Sequence, residues 1–226
     1  MTLSIIHRDD LHLGGFAGLK EHRLVMAPKV FGYHANPDAS LGIGNLVYLA
    51  DARFNSKGDT HMHDHMEVDV ISVIVEGRLA HEGSLKHGQL LETNYVQVQR
   101  AGGEGFSHNE INPDDTKNRM IQMWVLPEKE GERAGYKLYK SEKGAVTPVY
   151  GGNADQSETF ASNTLIEVAH LEKGEKVLLN GPFLAYLTRG KGSITGTEVK
   201  DGDLLKGESL DFTSEEEAQL IVIRTT

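Results

Sequence analysis

The run Thr60-His61-Met62-His63-Asp64-His65-Met66-Glu67-Val68-Asp69-Val70 places ligand-type side chains at alternate positions. In an extended chain, alternate side chains share a face. His61, His63, His65, Glu67 and Asp69 are therefore expected on one side, with Met62, Asp64, Met66, Val68 and Val70 on the other. A face of imidazoles and carboxylates is costly to bury without a partner, and a divalent metal ion supplies one. About 40 residues later, Gly105-Phe106-Ser107-His108-Asn109-Glu110 again sets ligand types at i and i+2. Two such dyads on facing strands can give three histidines and one glutamate to one ion. His61, His63 and His65 compete for two of those places.

Those dyads need strands to carry them, and the rest of the chain supplies strand signals. The 25 glycines among 226 residues punctuate short runs rich in Val, Ile, Leu and Thr. These runs are Leu46–Ala50, Val68–Val75, Tyr95–Val98, Met120–Leu126, Thr164–Val168, Phe183–Thr188 and Leu220–Ile223. Short strands with turn signals at this spacing predict an all-β sandwich or barrel. A pattern also recurs. Glu76-Gly77 is followed by Gly88-Gln89-Leu90-Leu91, and Arg189-Gly190 by Gly202-Asp203-Leu204-Leu205. We expect two copies of one β-barrel fold, with residues 1–140 as an N-terminal domain and 163–226 as a C-terminal one. Residues 141–162, rich in turn formers and poor in apolar residues, are expected to link them.

Composition narrows the chemistry. The chain has no cysteine, which excludes disulfides, thiolate zinc sites, iron–sulfur clusters and cysteine nucleophiles. Eleven histidines remain, so a transition metal here is held by imidazole and carboxylate. Fe(II) is the expected ion, and Ni, Mn, Co, Cu or Zn suit the same donors. The formal net charge of −10 disfavours a phosphate-backbone surface and hence direct nucleic-acid contact. No window approaches the roughly 18 apolar residues of a membrane span. The N-terminus lacks the basic start and apolar core of a secretory signal, so a cytoplasmic location is expected.

The segment His63-Asp64-His65-Met66-Glu67-Val68-Asp69-Val70-Ile71-Ser72-Val73-Ile74-Val75-Glu76-Gly77 resembles the metal-binding motif of the cupin superfamily, and within it the pirin family of bicupins. Gly105-Phe106-Ser107-His108-Asn109-Glu110-Ile111-Asn112-Pro113 and Gln122-Met123-Trp124-Val125-Leu126-Pro127 extend the likeness, which covers roughly residues 40–130. The resemblance implies two tandem cupin (jelly-roll) barrels. It also selects among the first three histidines, because counting back from Gly77 puts the family's two ligands on His63 and His65. The implied metal set is His63, His65, His108 and Glu110, with His61 in reserve as an outer-shell or substitute ligand. Two departures stand out: Asp64 replaces the proline between the ligands, and Asp69 replaces a glutamate. Fourteen and twelve residues before Gly190 stand Lys176 and Leu178, which implies a second barrel without metal ligands.

Other signals are expected to be structural. Gly102-Gly103-Glu104-Gly105 reads as the turn into the His108 strand. His81 and His87 read as exposed hairpin residues, and His170 as an ordinary strand histidine. Trp124 is expected to pack in the first barrel. The run Glu215-Glu216-Glu217 reads as a solvated turn.

The resemblance implies a metal-dependent dioxygenase of the quercetinase type, taking O₂ and a flavonol or similar enolic small molecule. Glu110 would act as general base when not bound to the ion. The alternative is a non-enzymatic metal- or redox-sensing regulator that binds a protein partner.

Overall fold

The computed structural model describes residues 3–226, and they fold into two compact units. The N-terminal unit comprises Leu11–Leu41 and Asn45–Lys140. The C-terminal unit comprises Ser141–Thr226, Gly42–Gly44 and the described residues up to Asp10.

The chain begins with β1 (Ser4–His7), which belongs to the C-terminal unit. The N-terminal unit then runs through β2 (Leu13–Phe16), β3 (Leu19–Met26), the short helix α1 (Pro28–Phe31) and β4 (Leu46–Phe54). It continues with β5 (His63–His65), β6 (Asp69–Glu76), β7 (Arg78–Gly83) and β8 (Gln89–Glu92). Strands β9 (Tyr95–Arg100), β10 (Phe106–Ile111), β11 (Arg119–Val125) and β12 (Gly135–Lys140) complete it. The C-terminal unit adds β13 (Ala145–Gly152), β14 (Ser162–Leu171), β15 (Lys176–Arg189), β16 (Lys191–Ile194), β17 (Thr197–Lys200), β18 (Asp203–Ser214) and β19 (Ala218–Thr225). The fold is all-β, and each predicted strand run falls on one of these strands.

Two sheets make the N-terminal unit. One has the order β12-β9-β6-β11-β4-β3-β2, the other β5-β10-β7-β8. Side chains alternate across these strands, and the register shows what meets inside. Val70 lies opposite Trp124, Ser72 opposite Gln122, and Ile74 opposite Met120. An apolar layer, a polar layer and a second apolar layer thus succeed one another along the interior. Leu19, Phe54, Ile74, Leu79, Leu91 and Met120 form one apolar layer, while Val70, Ala101, Phe106 and Trp124 form the other. Burying such apolar clusters is the main source of stability, and they hold the polar layer between them in a fixed register.

The C-terminal unit is one eight-stranded sheet, β13-β14-β19-β15-β18-β16-β17, with β1 paired to β18. Its core is apolar, with Phe183, Leu187, Leu205, Phe212 and Leu220 buried. The register shift in β15 between Asn180 and Phe183 marks an irregularity that lets the long strands bend over that core.

The internal repeat is visible in the pairing. In one unit β6 pairs with β9, β7 with β8, and β11 lies between β6 and β4. In the other β15 pairs with β18, β16 with β17, and β19 lies between β15 and β14. Gly77 and Gly190 occupy equivalent turns, both with left-handed backbone. The second sequence match is one strand out of step, however. Gly88 leads β8, whose counterpart β17 follows Gly196. Gly202 leads β18, whose counterpart β9 follows Asn94. All four have positive φ, and this shared turn geometry explains why the two glycine-led patterns resemble each other.

Two further expectations are corrected. Residues 141–162 are not a linker, since Ala145–Gly152 is a strand paired along β14. Its turn formers sit at register shifts, where the ladder tolerates them. The described residues up to Asp10 belong to the C-terminal unit rather than to a 1–140 domain, because Ser4–His7 pairs with Asp203–Lys206.

Candidate metal centre

Strands β5 and β10 are antiparallel neighbours, with His108 opposite His63 and Phe106 opposite His65. Period-2 alternation on β10 buries Phe106, His108 and Glu110 while leaving Ser107, Asn109 and Ile111 half-buried. Adjacent inward histidines on the two strands are thereby aimed at one point. The Nε2 atom of His108 lies 3.0 Å from that of His63 and 3.2 Å from that of His65. Ligand atoms of all three residues lie within 4.8 Å of one another.

The backbone around this tripod departs from the alternation expected of residues 61–69. Only His63–His65 is strand here. His61 and Glu67 both take left-handed conformations, with φ of 60° and 52°, which break the period on each side. His61 turns its ring outward onto Asp59, 2.7 Å away, and leaves it largely exposed. The ring is not part of the tripod. Its carbonyl is nevertheless used, accepting the Nδ1–H of His63 at 2.8 Å. That bond fixes the tautomer of His63 and leaves its Nε2 lone pair pointing at the other two rings. Glu67 likewise faces away, accepting the backbone N–H of Gly131.

His108 is fully buried, and its Nδ1 lies 2.9 Å from the side-chain amide of Gln99. A half-turn of that amide presents its oxygen to an Nδ1–H, the arrangement that frees Nε2 for an ion. Burial first, and the neighbouring histidines second, push His65 down to about 4 and His108 down to about 2. Both are neutral near pH 7, as metal ligation requires. Three Nε2 atoms at this spacing fit an ion well. Ligands at about 2.1 Å and roughly right angles to one another stand about 3.0 Å apart.

Glu110 is not drawn into the tripod but lies in the polar layer, fully buried. Its Oε1 accepts from Ser72 Oγ at 2.8 Å and from Gln97 Nε2 at 2.9 Å. Its Oε2 accepts from Gln122 Nε2 at 2.8 Å. Burial raises this carboxyl to about 7, against the three donors, which lower it. These donors, together with Gln99, are the residues that sequence reasoning missed. The usable signal was the alternation of Gln97 and Gln99 on β9 and of Gln122 and Trp124 on β11.

His81 also departs from expectation. It is fully buried rather than exposed, with its ring 5.7 Å from that of His108 and its Nε2 2.9 Å from the Leu85 carbonyl. His87 is exposed, accepting the Gly83 N–H. His170 packs on β14 against Glu217 at 3.1 Å. Trp124 packs beside the tripod, 5.8 Å from the His65 ring, and continues into Tyr48 and Phe31. The Phe31 and Trp124 rings are nearly parallel at 15°. Among the described residues no helix is long and apolar enough to cross a membrane.

Comparison with known proteins places this site in a family context. The family model described as Pirin matches residues 25–125. A Pseudomonas aeruginosa protein named "putative quercetin 2,3-dioxygenase" is 30% identical over 175 residues, spanning 71% of this chain and 75% of that one. A Zymomonas mobilis protein of the same name is 25% identical over 225 residues, covering 92% of this chain and 94% of that one. Among solved structures, the bacterial pirin YhhW of Escherichia coli in complex with nickel(II) superposes with a TM-score of 0.83. It is 16% identical, and the match covers 98% of each chain.

Proposed function

The chain belongs to the pirin family, and from that premise we propose that it is a metal-dependent dioxygenase of the quercetinase type. Its substrate would be a flavonol or a similar enolic aromatic. The observation that carries this reading is the convergence of three imidazole Nε2 atoms, with a buried carboxylate two residues along the strand from His108. Relatives named for quercetin 2,3-dioxygenase activity support the reaction class.

His63, His65 and His108 would hold the ion, with Glu110 available as a fourth ligand. Fe(II) is our choice, and Ni, Mn, Co, Cu or Zn fit the same donors. Such an ion supplies Lewis acidity toward an enolic hydroxyl and a redox centre for O₂.

The chain's own groups would do the rest. Glu110, raised to about 7, is matched to accept the hydroxyl proton near neutral pH. Ser72, Gln97 and Gln122 would steady the carboxylate while it waits for that proton. Trp124, beside His65 and stacked with Phe31, would offer an aromatic contact for a planar ring. Phe106 and Val70 would exclude water from the same side.

The test is oxygen uptake by metal-loaded protein given quercetin. Uptake that depends on the metal and falls at least about 100-fold in Glu110→Ala supports the proposal. An unchanged flavonol spectrum with both proteins overturns it.

A further inference from the structure

His63 is the outermost member of the tripod, half-buried where His65 and His108 are buried. His108 has Gln99 behind it in the interior, 2.9 Å from its Nδ1. His63 has the carbonyl of His61 instead, at 2.8 Å, and that carbonyl belongs to the segment between β4 and β5. Its direction is set by the backbone of His61.

That backbone is left-handed, with φ of 60°. Such a conformation is disfavoured for a residue with a Cβ and persists where neighbours hold it. The neighbour here is Asp59. One carboxylate oxygen, Oδ1, accepts the backbone N–H of His61 at 2.7 Å and lies 2.7 Å from its ring Nδ1. Asp59 is itself fixed. Its backbone bridges Ile111 at the end of β10, and its carbonyl accepts the Gly18 N–H at 2.9 Å. On either side, the Thr60 N–H donates to the Glu110 carbonyl and the Asn112 N–H to the Gly58 carbonyl. The clamp on His61 is thus anchored to the strand that carries His108. Thr60 Oγ1 also stands 3.3 Å from the His61 carbonyl, beyond the usual O–H···O range, and shares its single proton with Asn109 Oδ1. That contact leaves the carbonyl free to turn. A ring whose Nδ1 is unheld can carry its proton on Nε2, the atom that faces the other two histidines.

We propose that Asp59 is a positioning residue of the metal centre. By clamping His61 in the left-handed conformation, its carboxylate turns the His61 carbonyl onto the Nδ1–H of His63 and keeps Nε2 of that ring bare for the ion. The inference rests on the reading of the tripod as a metal centre, but not on the dioxygenase activity.

Two measurements on the same proteins test it. The first is the tautomer of His63 in metal-free, ¹⁵N-histidine-labelled protein, read by long-range ¹H–¹⁵N NMR at about pH 8, above the ordinary histidine range. The signal is assigned by its loss in His63→Ala. The second is cobalt(II) affinity, titrated against a chromophoric chelator. The parent should show the Nδ1–H form of His63. Asp59→Ala should shift that signal toward the Nε2–H form and weaken cobalt binding 10–100-fold, the cost of losing an outer-shell partner. Asp59→Asn keeps an acceptor oxygen and should restore both readouts to within a few-fold of the parent. His61→Ala leaves a backbone N–H for Asp59 and should cost far less than Asp59→Ala. Glycine enters the left-handed region without a clamp, so Asp59→Ala with His61→Gly should bind cobalt more tightly than Asp59→Ala alone.

An Asp59→Ala protein with the parent's tautomer and cobalt affinity overturns the proposal while leaving the metal centre standing. So does a loss that Asp59→Asn fails to restore, which would assign the effect to charge. Failure of the parent protein to bind cobalt overturns the metal centre and the proposal together.

Discussion

The Nδ1–H of His63 is held by the backbone carbonyl of His61 at 2.8 Å, while the His61 ring is turned away onto Asp59. Two histidines that alternation would make equivalent are thus divided between main-chain and side-chain roles. His61→Ala keeps the carbonyl and should retain metal, with affinity within a few-fold of the parent. His63→Ala, His65→Ala and His108→Ala each remove a ligand and should lose more than the 10–100-fold typical of an outer-shell partner. Metal content after equilibration at a fixed free metal concentration checks this. Loss of metal in His61→Ala with retention in His65→Ala would shift the ligand register by two residues.

Strand positions were legible from the sequence because apolar runs between glycines carry a period that burial enforces. Two departures from alternation share a cause. The alternation of residues 61–69 fails at His61 and Glu67, where left-handed backbone resets the face, and such turns at non-glycine residues have no strong sequence mark. His81 looked like a hairpin residue because Gly83 follows it closely. It is buried because β7 pairs with β10, a contact distant in sequence. The polar row around Glu110 was only partly legible for a similar reason: alternation marks Gln97 with Gln99 and Gln122 with Trp124, but not which of them meet. Serine and glutamine acquire their roles only when β9, β6 and β11 come into register.

Asp51 illustrates how the N-terminal unit tolerates charge inside. It is fully buried and accepts from Arg119 Nε at 3.0 Å and from Arg53 Nη1 at 2.9 Å, and Arg119 is itself almost wholly buried. Removing one partner of such a pair leaves a buried charge uncompensated. Asp51→Ala should therefore cost about 3–5 kcal/mol in denaturant unfolding. A loss below 1 kcal/mol would show that Arg119 finds other partners at little cost.

Acid should weaken the metal-free protein earlier than ordinary carboxylates dictate. His65 at about 4 and His108 at about 2 lie below the usual histidine value of 6.5, chiefly through burial. The unfolded chain therefore takes up these protons first, and the stability they contribute is lost as pH falls below about 6.5. Glu110 acts in the opposite sense. Raised to about 7 by burial, its contribution is full below about 4.5 and lost as pH rises through 7. Two histidines outweigh one glutamate, so stability should rise from about pH 5 to about pH 6.5. Glu110→Gln should steepen that rise. Urea midpoints across this interval check it, and a flat or falling profile would contradict it.

Incorporation of labelled oxygen bears most directly on the proposed reaction. Metal-loaded protein is given quercetin under ¹⁸O₂, and the ring-opened product is weighed by mass spectrometry. A dioxygenase centred on His63, His65 and His108 predicts that both labelled atoms appear in the product, with no turnover in His108→Ala. Metal-loaded protein that leaves quercetin unlabelled and unconsumed would contradict the account.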